Sequence, residues 1–166
     1  MRREEREIKE RAEIIQILEK SDILRIAMID YEYPYIVPMN FAQSINEEGN
    51  ICLFSHSAPE GRKIELLRVN NRVSFETDIF YAVSEKDPEV PCTWSAVYES
   101  VVGIGRMKIV TEDSAKIEGL TAIVKKYGKG RTFQSFSPAA VQKVVVLELN
   151  VESISGKKQL MNPIQE

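Results

Sequence analysis

The run Ile51-Cys52-Leu53-Phe54-Ser55-His56-Ser57-Ala58-Pro59-Glu60-Gly61-Arg62-Lys63 changes character in its middle. Its apolar start, Ile51 to Phe54, reads as a buried strand. A helix is predicted to follow at once, from Ala58 to Val69. Ser57 suits the N-cap, and Glu60 three residues later completes a capping box. Pro59 falls in the first turn, where its missing N–H costs nothing. Arg62 and Lys63 then set two cations beside a helix start that exposes N–H groups, an arrangement suited to phosphate. His56, the only histidine of the chain, stands at the mouth of this stretch. The alternative is an ordinary capped surface helix with two solvated cations.

Around this stretch the chain has the makings of one domain spanning 1–166. Its 166 residues are enough for a substantial core. Apolar and charged fractions of 43% and 28% are those of an ordinary globular protein. A net charge of −3 argues against a nucleic-acid binder driven by bulk electrostatics. No apolar run is long enough to span a bilayer, so no membrane partner is expected. Met1-Arg2-Arg3-Glu4-Glu5-Arg6 lacks the apolar region of a secretory signal. Cys52 falls inside the apolar strand, and Cys92 is the second cysteine. Two cysteines and one histidine cannot make a four-ligand zinc site without carboxylates, so no metal is expected. The expectation is a cytoplasmic protein with reduced thiols.

The coarse pattern runs as follows. An amphipathic helix is predicted over about 4–19, with Ile8, Ala12, Ile15 and Leu18 as its stripe. Ile23 to Ile29 is a strand with Leu24, Ile26 and Met28 on one face. Tyr35 to Gln43 is a second strand, and Pro38 inside it demands a sheet edge or a bulge. Asn46 to Asn50 is a hairpin loop leading into the strand at Ile51. Arg72 to Thr77 is a strand, and the polar, proline-containing stretch 78–91 reads as a loop or flap. Thr93 to Val110 reads as a long strand bent at Gly103 and Gly105. Glu112 to Tyr127 is a helix that Gly128-Lys129-Gly130 stops. Gln142 to Val151 is the last strand, and the tail 156–166 carries few signals.

Six or so strands joined by hairpin-length connections favour a mainly β, mostly antiparallel sheet closing into a barrel, with flanking helices. Gly103-x-Gly105 lies within a strand without a helix after it, so it is no dinucleotide fingerprint. No phosphate-binding GxxxxGK[ST] loop and no GxSxG elbow occur.

Several segments together carry a resemblance. They are Met1-Arg2-Arg3 with Ile8, Arg25-Ile26-Ala27-Met28, Pro34-Tyr35-Ile36-Val37-Pro38-Met39-Asn40-Phe41, and His56 to Lys63. To these add Asn71-Arg72-Val73, Cys92-Thr93-Trp94-Ser95, Tyr98-Glu99-Ser100-Val101 and Gly103-Ile104-Gly105. With them the chain resembles the pyridoxamine-phosphate-oxidase-like flavoproteins that have the FMN-binding split barrel. Among these it is most similar to the Nim-type group, named for nitroimidazole resistance. The resemblance implies an antiparallel split β-barrel and a homodimer with FMN at the subunit interface.

By the same resemblance, Val37, Pro38, Met39 and Asn40 run along the isoalloxazine ring, their backbone meeting its polar edge. Ser55, Arg62 and Lys63 match the phosphate cradle, with Ser57 beside it. Trp94, Ser95, Ser100 and Val101 belong to the strand that closes the site. His56 is expected near the flavin, as a proton donor or substrate contact. Each also has a plainer reading: Trp94 as core, Ser95 and Ser100 as backbone-bonded hydroxyls, Pro38 and Asn40 as an edge bulge.

The implied activity is FMN-dependent reduction of a small acceptor such as a nitroaromatic, a quinone or another flavin. NAD(P)H is a plausible donor, although no motif marks it. The tail 156–166 lacks the Trp and the Arg-x-His pattern of a true pyridoxamine phosphate oxidase. The competing expectation is a non-catalytic dimeric module binding flavin or haem, with His56 the only imidazole available as an axial ligand.

Overall fold

The computed structural model describes residues 3–160. A 3-10 turn at Glu4–Arg6 leads into β1 (Glu7–Ile8), and α1 (Arg11–Lys20) follows. Then come β2 (Leu24–Asp30), β3 (Tyr33–Met39), β4 (Ala42–Ile45) and β5 (Ile51–Ser57). Helix α2 (Arg62–Val69) separates β5 from β6 (Arg72–Glu85) and β7 (Trp94–Val110). Helices α3 (Asp113–Gly128) and α4 (Pro138–Gln142) precede β8 (Val145–Gln159). All eight strands join one antiparallel sheet in the order β3-β2-β6-β7-β8-β5-β4, with β1 paired to β8.

The sheet curls on itself. Leu24, Ile26 and Met28 of β2 and Met39 of β3, near one edge, share a core with Ile51 and Leu53 of β5, near the other. Val73, Phe75, Val101, Met107, Leu147 and Leu149 complete this interior from the middle strands. Ile14, Ile17 and Leu18 of α1 and Ile64, Leu66 and Leu67 of α2 plug it. A second, smaller cluster lies outside the barrel, where Leu120 and Ile123 of α3 cover Cys52, Phe54 and Val146. The protein is an antiparallel split β-barrel with flanking helices.

β5 has core on both sides, which explains its unbroken apolar run. Ile51 and Leu53 face the barrel, and Cys52 and Phe54 face α3. Pro38 finds the edge it requires, since β3 is outermost in the sheet. The bend anticipated at Gly105 coincides with a register shift between Ile104 and Gly105 on the β7–β8 ladder. A Cβ on Gly105 would stand 2.2 Å from the Asn150 carbonyl oxygen, so only glycine lets the strands approach there.

Several sequence expectations are corrected. The N-terminal helix begins at Arg11, not near Glu4, because Glu7 and Ile8 pair with Lys157 and Gly156 of β8 instead. Its buried side is Ile14, Ile17 and Leu18, and Ala12 is exposed. The expected strand 35–43 is two strands, broken at Asn40 and Phe41. The capping box does not form: Ser57 stays in the β5–β8 ladder opposite Val145, and Gly61 stands at the N-cap of α2. The flap 78–91 is strand as far as Glu85, its polar residues paired with β7 from Ser100 to Trp94. The last strand starts at Val145 and runs to Gln159, so part of the expected tail is ladder. Met1, Arg2 and the segment 161–166 lie outside the described residues.

Helix α3 is tied back to the barrel by its last turn. The Tyr127 hydroxyl donates to the Asp22 carbonyl at 2.6 Å and accepts the Phe41 N–H at 3.0 Å. Lys126 donates its ammonium to the Leu18 carbonyl at 2.8 Å and lies 3.5 Å from the centre of the Phe41 ring. Burial lowers the Lys126 pKa from 10.5 to about 8, against the opposing pull of Asp22 and Glu19.

Two predictions follow from these local features. Gly61 holds φ 120° and ψ 169°, a region other residues avoid. Gly61→Ala should therefore cost about 1–3 kcal/mol in urea unfolding, although an added Cβ would meet nothing within 4 Å. Between about pH 8 and 10.5 the unfolded chain holds the Lys126 proton that the native state has released. Native stability therefore gains with pH in that window. Against a Lys126→Met variant, the stability difference should move in favour of the wild type across it. A flat difference would contradict the assignment.

Candidate functional site

The start of α2 is assembled from β5 and the turn that Gly61 permits. Ser55 and Ser57 follow Ile51 and Leu53 onto the barrel side of β5, and both are buried. The Ser57 hydroxyl accepts a hydrogen bond from the Lys63 ammonium at 3.0 Å. No side chain caps the first turn of α2, so its leading N–H groups keep their donor capacity. The two cations differ in freedom. Arg62 donates from Nε to the Asp30 carboxylate at 3.0 Å, with a second bond from its terminal nitrogen, and Glu65 lies 3.6 Å away. The Asp30 hydrogen bond and charge raise the Arg62 pKa further above its ordinary value. Lys63 is bound only through the neutral hydroxyl of Ser57 among the described contacts, which leaves its charge unpaired there.

His56 is exposed and has the strand parity of Cys52 and Phe54. It therefore points to the α3 side of β5, away from Ser55, Ser57 and Lys63. The structure does not gather it with that set.

The edge strand β3 divides its predicted residues between two faces. Val37 packs inward on the core and Met39 is buried within it. Pro38 and Asn40 are exposed. Pro38 lies opposite Arg25 on β2, and Arg25 lies opposite Glu76 on β6. The Arg25 guanidinium bonds Glu76 at 3.0 Å and Asp78 at 2.6 Å, and Asp78 lies opposite Ser100 on β7. A polar row thus joins Pro38 to Ser100 across four strands. Burial raises the Glu76 pKa, and Arg25 only partly offsets it. Ser100 donates weakly to the Lys157 carbonyl at 3.4 Å. The Val101 side chain is fully enclosed in the core, which leaves only its backbone to face a ligand. Trp94 is half exposed at the start of β7, and the Ser95 hydroxyl accepts from the Gln159 amide. These two lie along β7, away from the start of α2.

Around the row the outer sheet face is apolar. Ile36, Phe80, Val102 and Ile104 are each about half exposed or more. A groove of about 610 Å³ runs along the β2–β3 hairpin, lined in part by Asp30, Tyr31, Tyr33, Ser74 and Ile104. Sequence reasoning did not single out Asp30, Glu76, Asp78, Lys126 or Tyr127. Asp30 and Arg62 meet across 32 positions, and nothing in the local pattern of either shows it. Among the described residues no His, Cys, Asp and Glu cluster suits a metal ion, and no helix is long and apolar enough to cross a membrane.

The fold has counterparts among solved structures. The solved structure of a candidate 5-nitroimidazole antibiotic resistance protein from Bacteroides thetaiotaomicron is 30% identical, with a TM-score of 0.77. The match covers 91% of this chain and 85% of that one. The FAD and haem binding protein from Mycobacterium smegmatis superposes with a TM-score of 0.80 at 17% identity, over 97% of this chain and 77% of that one. A flavocytochrome from Azotobacter vinelandii does so with a TM-score of 0.78 at 15% identity, over 100% and 75%. No curated protein matches the chain. The profile of the family described as pyridoxamine 5'-phosphate oxidase matches residues 10–158. With nearly the whole barrel inside that match, the chain belongs to the pyridoxamine 5'-phosphate oxidase family.

Proposed function

We propose that the protein binds FMN, with its phosphate at the start of α2, and serves as a flavin-dependent oxidoreductase for a small acceptor. The observation that carries this reading is Lys63. Its ammonium is held 3.0 Å from the buried Ser57 hydroxyl, beside a helix start that no side chain caps. A cation, hydroxyls and free N–H groups within one turn are the donor set a phosphate monoester needs. The residues present therefore fit the group. Lys63, Ser57, Ser55 and the first N–H groups of α2 would hold its phosphate, and Arg62, drawn aside by Asp30, would add a longer-range charge.

When bound, a flavin supplies electron-transfer chemistry that side chains lack. The protein's own residues would orient it and exclude water. The exposed edge at Pro38 and Asn40 offers the polar margin of the ring its backbone, since an edge strand has groups no neighbour uses. The apolar outer face around Ile36, Val102 and Ile104 supports a second copy closing over that edge, as a homodimer. His56, solvent-exposed on the α3 side, would serve an acceptor rather than the phosphate. The acceptor class is a nitroaromatic, a quinone or a flavin, with NAD(P)H as donor. The similar fold of the FAD and haem binding protein supports a second reading, a cofactor-carrying module without turnover, for which exposed His56 is the available imidazole.

Titration of the protein with FMN, followed by flavin fluorescence, tests the site. Lys63→Ala should weaken binding about 10- to 100-fold, the equivalent of one or two charge-assisted hydrogen bonds. Arg62→Ala should weaken it less. Equal affinity in Lys63→Ala would sink the phosphate assignment. NAD(P)H-driven loss of a nitroaromatic then separates an enzyme from a carrier, and a Soret band would turn the reading to haem.

A further inference from the structure

The end of α3 reaches the predicted ring-binding strand from behind. Asn40 and Phe41 lie between β3 and β4, outside both ladders. Phe41 is fully buried, so its N–H needs a partner within the protein. The Tyr127 hydroxyl supplies it, accepting at 3.0 Å and donating its own hydrogen bond to the Asp22 carbonyl at 2.6 Å. One oxygen thus fixes the break after β3 to the junction between α1 and β2. Lys126 does the same from the other side of Phe41, with its ammonium over the ring and on the Leu18 carbonyl. An apolar residue would cover the Phe41 ring with no desolvation cost. A lysine there secures geometry: it binds the last turn of α1 and the Phe41 ring at once, and its charge complements a helix C-terminus.

Resting on the proposed flavin site, we infer that Tyr127 and Lys126 are positioning residues that set how Asn40 is presented to the bound ring. They touch neither the cradle nor the outer face, and act only through the Phe41 backbone and ring. Holding a loop in its bound shape beforehand removes ordering cost from binding.

The test is a double-mutant cycle read by FMN titration of the full-length protein, under conditions where every variant is fully folded. Tyr127→Phe removes only the oxygen, and should weaken FMN binding about tenfold and hasten amide exchange at Phe41. On a Lys126→Met background the same change should cost less than it does in the wild type, because both residues act through Phe41. Lys126→Met alone should also weaken FMN binding, and serves if Tyr127→Phe does not fold. Unchanged affinity in both single variants, or full additivity between them, overturns the inference while leaving the flavin site standing. A wild type that takes up no FMN overturns the proposed function and this inference with it.

Discussion

A strand buried on both faces organises this molecule. β5 must satisfy the barrel interior with Ile51 and Leu53 and the α3 layer with Cys52 and Phe54. A slip of one residue would exchange the two sets and place Ser55 and Ser57 under the helix, so packing fixes the register. Cys52 shows how closely the outer layer fits: its thiol reaches the Asn150 amide oxygen at 3.3 Å, and burial raises its pKa. With β5 immovable, the place where the chain turns into α2 is fixed too. The first turn of that helix inherits its position from the core on both faces of β5.

The electrostatics of that turn are sorted rather than merely positive. Asp30 takes Arg62 and leaves Lys63 to a neutral hydroxyl. Both pairs restrain long side chains that would otherwise lose rotamer freedom on meeting a ligand. The same division recurs across the outer face, where Arg25 is shared between Glu76 and Asp78. That row carries one net negative charge within an apolar surround. The cation pair at the end of the sheet is thus kept apart from the polar row in its middle.

Much of this was legible in the residues. The apolar run of β5, the edge demanded by Pro38 and the alternation of Leu24, Ile26 and Met28 each report a local constraint. The start of α2 was misread because Ser57 and Glu60 satisfy a capping pattern, whereas pairing with Val145 keeps Ser57 in the sheet. The stretch from Asp78 to Glu85 looked like a loop because its polarity is used in cross-strand pairs. Arg25 binds Asp78, and Tyr81 donates to Glu99, which raises the tyrosine pKa to about 12. The Tyr127 and Lys126 contacts join residues about 100 positions apart, beyond any periodicity.

The two prolines of β3 have a consequence beyond the fold of a single chain. Pro34 and Pro38 sit on the outermost strand, four residues apart, and neither has an N–H to offer an incoming strand. Pairing of a second sheet along this edge is thereby opposed, the usual protection of an exposed edge strand. The β3 margin of the barrel is therefore ill suited to continuous strand-to-strand pairing, and leaves contact there to side chains and single backbone groups.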